Sequence, residues 1–221
     1  MANQKRGRQS FILSDPPVIT HWASVAGKKE SEGPLAHTFD IKSQDTYFGQ
    51  KTWEPGEKQM QKMALWKLAE KANMKLEDFD LVFSGDLLNQ CIGSSFTLRN
   101  LGIPHLGLYG ACSTMAESLL LSSMAVGGGF ADNAVAMTSS HFASSERSTA
   151  FLWATAGSGL PPPNGRLPVP GLHWCAVTAM APESPAAPSA PLPTLASRTQ
   201  TTWARPWLPP PMPPLKPILM I

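Results

Sequence analysis

Cysteine is scarce in this chain, with Cys91, Cys112 and Cys175 the only three in 221 residues. An odd count without metal-ligand spacing gives no support for a disulfide framework or a zinc site, and it makes a reducing compartment the expectation. An excess of charge of either sign is also lacking. A net charge of +2 excludes an argument for nucleic acid from charge, and the single basic cluster, Lys5, Arg6 and Arg8, reads as a solvated start. No apolar run reaches the roughly 18 residues of a membrane span, and the N-terminal stretch has no apolar signal core. No metal and no cofactor are expected, and neither insertion nor export.

Proline is rare before Ser148 and abundant after it: five of 22 precede that residue and 17 follow. Charge moves the opposite way, since the last 74 residues hold only Arg166, Glu183, Arg198, Arg205 and Lys216 of the chain's 34 charged groups. The expected division is therefore 1–147 as a folded region and 148–221 as a Pro-rich tail without regular helices or central strands. Trp153, Trp174, Trp203 and Trp207 would expose apolar surface in such a tail. His173 and Cys175 lie within it and are given no weight as a catalytic pair.

Within 1–147 the pattern alternates. A strand is predicted over Val18–Val25, then a long polar loop from Lys28 to Gly49. Met60, Ala64, Leu68 and Ala72 recur every four residues with Met63 beside them, which predicts a helix over Glu57–Asn73 that Asn73 can close. Short strands follow at Leu81–Ser84, Leu106–Tyr109 and Ala134–Thr138. Between them lie a short helix capped by Ser94 or Ser95 and a longer helix over Ser113–Val126, stopped by Gly127, Gly128 and Gly129. Strands alternating with helices argue for an α/β sheet covered on both faces. The helix behind Cys112 is apolar nearly all round, as suits a helix between two sheets.

The strongest local signal is His105–Leu121, a strand that delivers Cys112 at the tip of a Gly-Ala turn with a helix immediately behind. The macrodipole of such a helix favours a thiolate or a bound anion. A buried, inert thiol is the competing reading. His141 follows a strand whose end should lie near that turn, and its bland alternative is a satisfied structural histidine. Asp86 and Asn89 could face the same pocket, although capping the next turn competes with that role. Cys91 reads as a core thiol.

The motif Gly110-Ala111-Cys112-Ser113 before a buried helix resembles the nucleophile elbow of the thiolase superfamily, in its ketoacyl synthase III branch. GDLLNQ at 85–90, LGIPHLGLYGACSTMAESL at 101–119, TSSHFASSER at 138–147 and EGPLAHTFD at 32–40 resemble more specifically the stage V sporulation protein AD family. The resemblance runs from about Gln9 to Arg147. It implies the N-terminal half of a thiolase-like fold, a βαβαβ-type mixed or parallel sheet with helices on both faces. It also implies binding of dipicolinic acid, with Cys112 and His141 as the candidate ligand-binding residues and no metal. Other membrane-associated stage V sporulation proteins of the same locus are the implied partners, at the periphery of the forespore or spore inner membrane.

Acyl transfer by Cys112 is the alternative reading. Members of the superfamily that condense acyl groups take a histidine and a second polar partner from a half this chain lacks, so catalysis is not expected, and a non-functional fragment is the third reading. Pairing of two copies could cover the open face. The break at Ser148 falls inside a family motif, and a frameshift would produce such a composition.

Overall fold

The computed structural model describes residues 4–8, 10–141, 144–145 and 173–182. Two short strands, β1 (Gln4–Arg6) and β2 (Ser10–Ile12), form an antiparallel hairpin ahead of the main body. The main sheet has six strands: β3 (Val18–Ala26), β4 (Ile41–Lys42), β5 (Leu81–Gly85), β6 (His105–Gly107), β7 (Ala134–His141) and β8 (His173–Ala181). Their spatial order is β4-β3-β8-β7-β5-β6. β4 runs parallel to β3, and β6 and β7 run parallel to β5, whereas β8 is antiparallel to both of its neighbours. The sheet is therefore mixed, with one reversed strand inside it, in line with the expected α/β class.

Two helical layers cover it. On one face lie α2 (Trp53–Ala72) and α3 (Ile92–Leu98), and on the other α4 (Thr114–Gly127); a single-turn helix, α1 (Lys28–Ser31), follows β3. Strand alternation assigns the faces, because successive side chains point to opposite sides. Val82, Val135 and Met137 pack with Met60, Ala64, Leu65 and Leu68 of α2. Phe83 and Ala134, one residue out of step, pack with Ala125 and Val126 of α4. In β3 the irregularity between Ile19 and His21 reverses the parity, so Ile19 joins the α4 layer while Ala23 and Val25 join the α2 layer. Burying Met60, Leu65 and Leu68 completely contributes about 1.5–3 kcal/mol for each side chain.

Helix α2 begins four residues before the predicted start and closes as expected. Asn73 adopts φ 52° and ψ 41°, and its N–H returns to the carbonyls of Ala69 and Glu70, a left-handed end that asparagine tolerates. Helix α4 stops at Gly127, with Gly129 at φ 74°. The 28–49 stretch is less irregular than its composition suggests, because α1, a 3-10 turn at Ala36–Thr38 and β4 interrupt it.

One expectation is corrected. The prolines after Ser148 argue against any central strand there, yet β8 supplies one, with Cys175 buried. The physical reason is local: His173–Ala181 lies between Pro170 and Pro182 and contains no proline, so every residue of the segment can serve the hydrogen-bond ladder. Apart from Pro182, the other residues expected to form the tail lie outside the described residues.

Helix α4 buries only one side. Thr114, Ser118, Ser122, Ala125 and Val126 face inward, while Leu120 and Met124 remain 44% and 46% exposed. Its apolar circumference is thus half covered.

Candidate functional site

The turn between β6 and α4 is built by close backbone approach. At the end of β5, Gly85 lies against the Leu108 carbonyl and the Thr114 methyl group, which is where a Cβ would fall. Gly110 lies likewise against the Glu117 carboxylate and the Ser113 hydroxyl. Side chains at either position would push the turn off the sheet. Ala111 then takes φ 49°, in the left-handed region that costs a residue with a Cβ roughly 1–2 kcal/mol. This bend presents Cys112 at the surface.

The arrangement matches the expected strand–turn–helix placement of Cys112, with one difference. A 3-10 turn at Ala111–Ser113 precedes α4, and it returns the Ser113 and Thr114 N–H groups to the carbonyls of Gly110 and Ala111. Two amides that an incoming anion could have used are satisfied internally. The Ser113 hydroxyl also donates to the Gly110 carbonyl at 2.7 Å.

His141 is placed elsewhere. It is wholly buried at the end of β7, with Nε2 2.7 Å from the Thr46 carbonyl. Nδ1 accepts the Ser144 N–H at 3.4 Å, so Nε2 carries the proton and donates it to Thr46. Phe48 stands edge-on to the ring at 6.3 Å. The structural reading of this residue fits its environment: it ties the 43–50 loop to β7. Cys112 and His141 are not brought onto one exposed surface.

Asp86 behaves as the capping alternative predicts. It is buried, with Oδ1 accepting the Leu88 N–H at 2.9 Å, and Oδ2 accepting both the N–H and the hydroxyl of Ser94 at 2.7 Å. Ser94 therefore lies inside α3 as a partner of Asp86 instead of at the helix start. Cys91 is a core thiol whose Sγ donates to the Leu108 carbonyl at 3.1 Å, and burial, aided by the charge of Asp86, raises its pKa. Cys175 is pushed far up by burial and then by Glu57.

Asp86 is one end of a larger buried arrangement that sequence reasoning did not find. The Gln61 side-chain amide of α2 donates to the Ser94 hydroxyl at 3.3 Å and to the Ser139 hydroxyl at 2.7 Å. Ser139 donates in turn to Glu57 Oε1 at 2.8 Å, and Ser144 lies 2.8 Å from Glu57 Oε2. Two buried carboxyl groups are thus joined through hydroxyl, amide and hydroxyl. Glu57 has its pKa raised to about 7, first by burial and then by the charge of Asp86, against hydrogen bonds from Ser144, Ser139 and the His141 backbone that lower it.

A signal for this network is present in the sequence. Glu57 and Gln61 begin a four-residue row that continues through Leu65 and Ala69, beside the Met60, Ala64 and Leu68 stripe, so the helix period places two polar residues against the core. Among the described residues no group of three or more metal-ligating side chains occurs, and no helix is long and apolar enough to cross a membrane.

The family model described as stage V sporulation protein AD matches residues 7–163. Stage V sporulation protein AD of Bacillus subtilis (strain 168) is 38% identical over 165 residues, which are 75% of this chain and 48% of that protein. The chain thus spans about half the length of that relative. Among solved structures, 3-oxoacyl-[acyl-carrier-protein] synthase III from Aquifex aeolicus VF5 is similar at 12% identity, covering 75% of this chain and 53% of that one with a TM-score of 0.48. The corresponding synthase of Xanthomonas oryzae pv. oryzae shows 17% identity, coverage of 77% and 57%, and a TM-score of 0.45.

Proposed function

The chain belongs to the stage V sporulation protein AD family, and on that basis we propose that it carries the first half of a dipicolinic-acid-binding protein of the spore dipicolinate uptake machinery. The observation that carries this reading is the family match over residues 7–163, which includes the whole Gly110–Ser113 elbow. The ligand would be a dianion, and the elbow provides the positive end of a 14-residue helix next to a small, exposed turn. In this reading Cys112 lines the ligand site, and His141 supports it from inside by fixing the end of β7 and the 43–50 loop. The partners in uptake are membrane-associated stage V sporulation proteins of the same locus, met at the forespore membrane.

Acyl transfer by Cys112 fits less well. That chemistry needs a base or an oxyanion donor beside the thiol, and His141, the histidine nominated from sequence, is used inside the fold. Calorimetric titration of the purified chain with dipicolinic acid, beside a near-UV circular dichroism spectrum, tests the binding proposal. Saturable binding with a native-like spectrum is expected. A native-like spectrum with no heat of binding would overturn the proposal for this chain, and a missing near-UV signal would assign the activity to longer members of the family.

A further inference from the structure

Glu57 is the most deeply buried acid in a polar cluster that the proposed binding role does not use. Each group facing it can be named. Asp86, in the connection between β5 and α3, adds a negative charge; His141 on β7 presents its backbone N–H; and Cys175 on β8 is close enough to feel Glu57 electrostatically. No lysine or arginine pairs with Glu57 among the described residues. A carboxylate here meets desolvation and a like charge with hydrogen bonds alone to offset them.

The two serines that touch Glu57 are not equivalent. Ser139 already accepts the Gln61 amide, and its single proton points to Glu57 Oε1. It is a donor and nothing else toward Glu57. Ser144 has two acceptors within reach, Glu57 Oε2 and the His141 carbonyl, both at 2.8 Å. Its proton can turn from one to the other. When Glu57 is ionised, the Ser144 hydroxyl donates to it; when Glu57 is protonated, the carboxyl O–H donates to Ser144, whose own proton goes to the His141 carbonyl. Glu57 and Ser144 keep their hydrogen bonds in both states, and no heavy atom has to move.

We propose that Glu57 is a buried proton-binding site, with Ser144 as its rotating hydroxyl, and that its occupancy sets how firmly the end of β7 is held to α2. With the proton bound, the end of β7 at Ser139 and His141, together with Ser144, is held by neutral hydrogen bonds. With the proton lost, the same residues surround a second buried negative charge near Asp86 and are held less firmly. His141, with its Thr46 contact, is one of them, so the 43–50 loop responds with them.

The test is carbon-13 NMR of the glutamate side-chain carboxyls in the full chain between pH 5 and 9. One resonance should titrate near neutral pH and vanish in Glu57→Gln. Ser139→Ala removes a donor that holds the carboxylate more strongly than the neutral carboxyl, so it should raise that midpoint by about one pH unit. Ser144→Ala removes a group that serves both forms and should move the midpoint by clearly less. The proposal is overturned if all glutamates of the wild-type chain titrate in the ordinary carboxylate range, or if Ser144→Ala shifts the midpoint as far up as Ser139→Ala. Because wild type and the two serine variants decide the matter, it stands or falls even if Glu57→Gln does not fold.

Discussion

Replacing Glu57 by glutamine should make the protein more stable above neutral pH while leaving it nearly unchanged in mild acid. Glutamine has the shape of a protonated glutamate: its carbonyl can accept from Ser139, and its amide can donate to Ser144. The wild-type carboxyl has a folded-state pKa of about 7 against an ordinary value of 4.5. For a group whose folded pKa is raised, the folded chain holds more protons than the unfolded chain between those two values. Stability therefore falls as pH rises through that window and is level beyond it. At about 1.4 kcal/mol per pH unit the gap is worth about 3 kcal/mol. Urea unfolding followed by tryptophan fluorescence at pH 5 and pH 8 reads the effect directly. The wild-type chain should lose about 2–3 kcal/mol between the two conditions that Glu57→Gln does not lose. Other groups titrate equally in both proteins, so the difference between the curves isolates Glu57. Parallel curves, with the variant offset by a constant amount, would refute the reasoning.

Two further outcomes test the elbow and the sheet. Gly85→Ala would drive a methyl group into the Leu108 carbonyl and the Thr114 methyl, and should cost about 1–3 kcal/mol as an overpacked core site; a melting temperature equal to wild type would show that the turn is not held against β5. Iodoacetamide followed by peptide mass spectrometry should modify Cys112 in the folded chain while Cys91 and Cys175, both buried, react only in urea. Labelling of Cys175 at the rate of Cys112 would remove β8 from the interior of the sheet.

Much of the framework was legible because periodicity and turn chemistry agreed. The stripe at Met60, Ala64 and Leu68 gave α2, Asn73 closed it, and the glycines after Val126 ended α4 where the structure ends it. Cys112 was placed at a strand-to-helix turn from the Gly110-Ala111 pair and the apolar helix behind it. What composition could not show was the state of the backbone amides there. The 3-10 turn that uses two of them depends on Ala111 entering the left-handed region, and alanine gives no sign of that in a sequence.

The two larger misses share a cause. The proline density of the last 74 residues masks β8, whereas a strand needs only a short proline-free window and two neighbours to pair with. The Glu57 network is masked in the sequence because a charged residue near a helix start ordinarily serves the macrodipole or a cap. Here the residue is turned inward, and what makes that tolerable lies more than 80 positions away in Ser139 and Ser144. A hydroxyl that can point either way leaves no trace in composition or period. It becomes visible only when the sheet brings the end of β7 over α2, and the same register then sets Ser139 on the side of Val135 and Met137, facing the helix that carries both Glu57 and Gln61. Local patterns thus specified the layers, while the buried acid's chemistry is fixed by which strand ends on top of which helix.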